Sequence, residues 1–86
     1  MTLGQAVNLS QGGMLVRGFH HYALGARLVF DLRLPAPVQG HVRGRARIAR
    51  NARADRDGVT GLALVFTGLG RADEARLRSY VEYRIG

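Results

Sequence analysis

Eighty-six residues with 47% hydrophobic content make one small globular domain, near the lower limit at which a single core stabilises a chain. The absence of cysteine excludes disulfides and thiolate metal sites, and the longest apolar run, residues 62–66, is far too short to span a bilayer. All thirteen basic residues are Arg, which against six acids gives +7 and favours polyanionic or phosphate-bearing partners.

Residues 6–9 and 14–16 are two short apolar pieces around Ser10-Gln11-Gly12-Gly13, the pattern of strand, tight turn, strand. Leu28, Phe30, Leu32 and Leu34 then alternate with Arg27, Val29, Asp31 and Arg33, the period of a half-buried strand. Pro35 and Pro37 stop it and make a turn. In the next strand Val38, Val42, Ala46 and Ile48 fall on one face, with Gly40 and Gly44 between them. Gln39, His41, Arg43, Arg45 and Arg47 fall on the other. Residues 50–58 are polar and end in Asp57-Gly58, a hairpin-turn signal. Residues 60–66 read as a further strand, with Leu62, Leu64 and Phe66 on one face. The period then changes. Leu77, Tyr80, Val81 and Ile85 fit one helical face, with Asp73 and Glu74 in the first turn and Arg76, Arg78 and Arg84 beyond, an order that suits the helix dipole. Gly86 is a candidate cap. The expected fold is mostly β: five short antiparallel strands and one C-terminal helix, a single domain over residues 1–86. Met1 is not followed by a basic stretch and an apolar core, so no signal peptide is read and a cytoplasmic location is expected.

Asn8-Leu9-Ser10-Gln11-Gly12-Gly13 matches an (Asp/Asn)-x-Ser-x-x-Gly signature, and the strand Gly61-Leu62-Ala63-Leu64-Val65-Phe66 is similar to a Gly-x-Gly-x-x-Phe strand. With the order of strands and the closing helix, the chain resembles the bacterial PilZ domain family over nearly its whole length. The resemblance implies a small antiparallel β-barrel with a C-terminal helix. It also implies a signalling module, not an enzyme, that binds cyclic di-GMP and relays binding to a protein partner. It places ligand contacts on Asn8, Ser10 and Gly13, and more loosely on Arg50, just past Ile48 where the strand opens into the loop. The chemistry is reasonable. A guanine edge presents N–H donors, and Asn8 offers a neutral carbonyl to accept them. Ser10 supplies a small hydroxyl, and Gly13 a turn with positive φ and room for close approach. Without the resemblance, the same three residues build an Asx-type turn between two strands.

One departure stands out. Members that bind cyclic di-GMP resemble one another in an Arg-x-x-x-Arg segment upstream of the motif, whereas only seven residues precede Asn8 and none is Arg. The resemblance therefore implies a domain incomplete at its N-terminus, without its first strand. The explanations are a start codon further upstream, a domain cut from a longer protein, or a degenerate member without a nucleotide site. An incomplete barrel leaves an open edge, and self-association through that edge is expected. Arg43 and Arg47 form a literal Arg-x-x-x-Arg downstream, on the outward face of a strand, and read as solvated.

The remaining features are ordinary. His20, His21 and His41 lack an accompanying carboxylate cluster, so no metal or cofactor is expected. Asp31, Asp55 and Asp57 are bounded by Arg and read as solvated pairs. Gly12-Gly13 lacks the Lys and helix of a P-loop. A degenerate adaptor acting by protein contact is the alternative function. A basic barrel binding single-stranded nucleic acid is a second, disfavoured because no aromatic side chain is interleaved among Arg43, Arg45 and Arg47.

Overall fold

The computed structural model describes residues 5–18 and 23–85. The chain forms β1 (Gln5–Leu9), β2 (Gly13–Arg17), β3 (Arg27–Arg33), β4 (His41–Ala52), a single helical turn α1 (Ala54–Asp57), β5 (Gly61–Leu69) and the long helix α2 (Arg71–Ile85). The strands make one antiparallel half-barrel in the order β1-β2-β5-β4-β3, with β1 and β3 at the edges of the described sheet.

The alternation seen in the sequence sets the two faces. Phe30, Val42, Ala46, Ile48, Leu62, Leu64, Met14 and Val16 all point inward and are buried. Leu77 of α2 is 1% exposed and completes this core, flanked by Tyr80 and Val81 as the helical spacing requires. Burying each of Ile48, Leu62 and Leu77 stabilises the fold by about 1.5–3 kcal/mol. Phe66 stacks on Phe30 with ring centroids 5.1 Å apart. The helix is fixed to the start of β4 by polar contacts. Asp73 Oδ1 accepts the Arg43 N–H at 3.0 Å, and Arg76 donates to the His41 carbonyl.

Three differences from the expected elements matter. First, β4 runs on to Ala52 and is followed by a helical turn, so Arg50 lies inside the strand rather than at its mouth. Arg53, Asp57 and Arg56 supply the local bonds that make residues 53–58 helical instead of a plain loop. Gly58 ends that turn at φ 80°, the left-handed role that the Asp-Gly pair signals. Second, β5 begins at Gly61 and continues to Leu69. Third, three β-bulges interrupt the ladders. One extra residue is accommodated at Val7 in β1, at Ala49 in β4 and at Thr67 in β5. His20, His21 and Gly86 lie outside the described residues.

Candidate functional site

The hairpin turn between β1 and β2 is built by Ser10. Its N–H donates to the Gly13 carbonyl at 2.9 Å, and its hydroxyl donates to the same carbonyl at 3.2 Å. That hydroxyl also accepts the N–H groups of Gly12 at 3.3 Å and Gly13 at 3.2 Å. A hydroxyl has one proton and two lone pairs, so all three of its bonding positions are used within the turn. The Gly12 carbonyl accepts the Phe66 N–H at 2.9 Å, which pins the turn to β5.

Gly13 does not have the expected positive φ. Positive φ among the described glycines occurs at Gly25, Gly40 and Gly58, and Gly13 is not among them. Instead, a Cβ at Gly13 would run into the Leu64 carbonyl of β5, and one at Gly61 would run into the Val16 carbonyl of β2. Both glycines let β2 and β5 approach closely, and neither is replaceable without moving backbone.

The bulges decide where Asn8 and Arg50 point. By strict alternation each would share a face with its inward neighbours, Ala6 and Ile48. The extra residue at Val7 pairs Asn8 with Leu15, while Ala6 and Leu9 stay opposite the buried Val16 and Met14. The extra residue at Ala49 likewise pairs Arg50 with Ala63, while Ile48 stays opposite the buried Leu64. Re-aiming a side chain is a common use of a bulge. Because Leu15 also pairs with Ala63, the result is one row across four strands: Asn8, Leu15, Ala63, Arg50. Asn8 and Arg50 are both exposed, and Leu15 and Ala63 between them are half-buried. With strands about 4.8 Å apart, the row spans about 14 Å. The sequence-predicted residues thus divide into two kinds. Asn8 and Arg50 present side chains to one open face, whereas Ser10 and Gly13 shape its border.

Arg50 is held in place by Asp57. Its two terminal nitrogens each lie 2.7 Å from a carboxylate oxygen of Asp57, a bidentate fork. Asp57 also accepts the Arg53 N–H at 2.8 Å and Arg56 Nε at 3.3 Å, and only 7% of its side chain is exposed. These donors, Arg50 foremost, hold the Asp57 carboxyl well below the usual carboxylate range, and the same pairing raises Arg50. Asp57 is therefore covered rather than solvated. Asp31 and Asp55 are exposed pairs as expected. His41 Nδ1 lies 2.6 Å from Asp31 Oδ1 and Arg43 Nε lies 3.0 Å from Asp31 Oδ2, which together lower the Asp31 carboxyl. Arg53 meets Asp55 at 2.9 Å.

An open depression lies between the turn and the start of α2, lined by Gln11, Phe66, Thr67, Leu69, Glu74 and Leu77. It holds a carboxylate and none of Asn8, Ser10, Gly13 or Arg50, so its chemistry suits an anion poorly. Among the described residues no group of three His, Cys, Asp or Glu side chains is arranged to hold a metal ion.

The PilZ domain matches residues 2–83 of the chain. No curated protein matches it, and neither does any solved structure.

Proposed function

The chain belongs to the PilZ domain family, and from that premise we propose that it is a cyclic di-GMP-responsive module that relays nucleotide binding to a protein partner. The family is one of binding and adaptor domains rather than of catalysts. The observation that carries the reading is the row from Asn8 to Arg50. A hydrogen-bond acceptor for a guanine edge stands at one end and a guanidinium for phosphate at the other, with apolar Leu15 and Ala63 between. Ser10 and Gly13 act by fixing the turn that carries Asn8. The proposed setting is the cytoplasm, and among the described residues no helix is long and apolar enough to cross a membrane. Strands β1 and β3, the edges of the described sheet, are the proposed surfaces for self-association.

Titration calorimetry with cyclic di-GMP tests the reading. Saturable binding that Asn8→Ala and Arg50→Ala each weaken supports it, and binding indifferent to both removes this site. A second reading, an adaptor that binds no nucleotide, is favoured by one observation: Arg50 is already engaged by Asp57 in a bidentate pair. The absence of any heat of binding selects that reading.

A further inference from the structure

A second row lies one step along the same face. Gly13 pairs with Val65, Val65 with Arg47, and Arg47 with Arg27. At about 4.8 Å per strand, Arg47 stands about 10 Å from the glycine of the motif. Val65, 36% exposed, joins Leu15 and Ala63 in a low apolar floor between the turn and Arg47.

Arg27 and Arg47 face each other directly across a strand pair. Like charges in that position repel and cost stability. Among the described residues neither Arg is ion-paired with an acid. Arg43, the other half of the downstream Arg-x-x-x-Arg, is different, because Asp31 neutralises it. The structure therefore separates two residues that the sequence presents as equivalent. An opposed pair of guanidinium groups that folding disfavours, and that no acid relieves, is relieved by an anion from outside.

We infer that Arg47, backed by Arg27, grips a phosphate of the bound dinucleotide, while a guanine lies over the Leu15–Ala63–Val65 floor toward Asn8. The inference rests on the nucleotide-binding reading. A guanidinium fork matches two phosphate oxygens, which an ammonium cannot copy.

The test is titration of cyclic di-GMP into the full chain and into Arg47→Ala, Arg47→Lys, Arg27→Ala, Arg33→Ala and Asn8→Ala, with a melting temperature for each. Arg47→Ala is expected to weaken binding about 10-fold or more, the scale of a lost charge-assisted hydrogen bond. Arg47→Lys should fall between wild type and Arg47→Ala. Arg27→Ala should lose less than Arg47→Ala. Arg33→Ala removes the same charge at the far end of β3 and should bind like wild type. Arg47→Ala should melt at or above the wild-type temperature, since a repulsion is removed. Equal losses for Arg47→Ala and Arg33→Ala would overturn the assignment in favour of general charge. A lower melting temperature would overturn it in favour of a structural role. Binding lost in Asn8→Ala but kept in Arg47→Ala sinks Arg47 and leaves the nucleotide reading standing. A wild-type chain that gives no heat sinks both.

Discussion

At the start of β4 the polar groups are tied into the fold. His41 and Arg43 meet Asp31, Asp73 accepts the Arg43 N–H, and Arg76 donates to the His41 carbonyl. Further along the same strand, Arg47 faces Arg27 with no acid between them, and a bulge turns Arg50 outward. One strand thus uses the same residue type in two ways. Where α2 docks, charge is compensated and serves to hold helix to sheet. Where the outer face lies open beside the Ser10 turn, Asp57 holds Arg50, but the charge of Arg47 and Arg27 is left over. Leftover charge at a cost to stability is the physical mark of a surface shaped for something other than folding.

Ile48→Arg attacks that difference most directly. It puts a guanidinium on the inward face of β4, at a site that is 0% exposed. Burying an unpaired Arg costs several kcal/mol, a large part of the stability of a domain this size. The expected outcome is loss of a cooperative thermal transition by circular dichroism. A variant that melts like wild type would show that the two faces of β4 are not divided as described.

Leu77→Ala probes the other end. It empties a fully buried site under α2 and should cost about 2–5 kcal/mol in urea unfolding. Nucleotide affinity of the folded protein should change little, because Leu77 is absent from both outer rows. A matching loss of affinity would mean that the two ends are coupled. Ser10→Ala removes the hydroxyl bonds of the turn and should cost about 1 kcal/mol. Its effect on binding should be smaller than that of Asn8→Ala, since its hydroxyl has no free bonding position.

The mildest test uses pH. The Asp57 carboxyl is held below its ordinary value of 3.8 in the folded state. On acidification the unfolded chain therefore takes up this proton first. The contribution of Asp57 is complete above its unfolded pKa and is lost as pH falls through the folded value. Asp31, lowered by His41 and Arg43, adds to the same slope. Urea midpoints measured downward from about pH 6 should fall below about pH 4, and Asp57→Asn should flatten that fall. An unchanged slope would mean that Arg50 is not held by Asp57 in solution.

Much of the fold was legible in the sequence because it depends on period. Alternation in residues 27–34 and 41–48 and the helical spacing of Leu77, Tyr80 and Val81 are local patterns, and the core follows them, whereas Val38, Gln39 and Gly40, expected in the strand, belong to the turn before β4. The bulges were not legible. An extra residue at Val7 or Ala49 is defined by the partner strand, and nothing in the chain itself marks it. For that reason the sequence offers Asn8 and Arg50 as site residues but not their meeting in one row. At Gly13 the sequence suggests a positive φ, because the Leu64 carbonyl that excludes a side chain there is remote in sequence. In the sequence Arg47 reads like Arg43, because only the cross-strand register shows that Arg43 faces Asp31 and Arg47 faces Arg27.

Amide chemical-shift mapping during titration with cyclic di-GMP is the most direct measurement. A nucleotide on the outer face moves the amides of Gly13, Leu15, Ala63, Val65, Arg47 and Arg50 and leaves those of Leu77 and Val81 near their free positions. Shifts confined to α2, or no shifts at saturating nucleotide, contradict it.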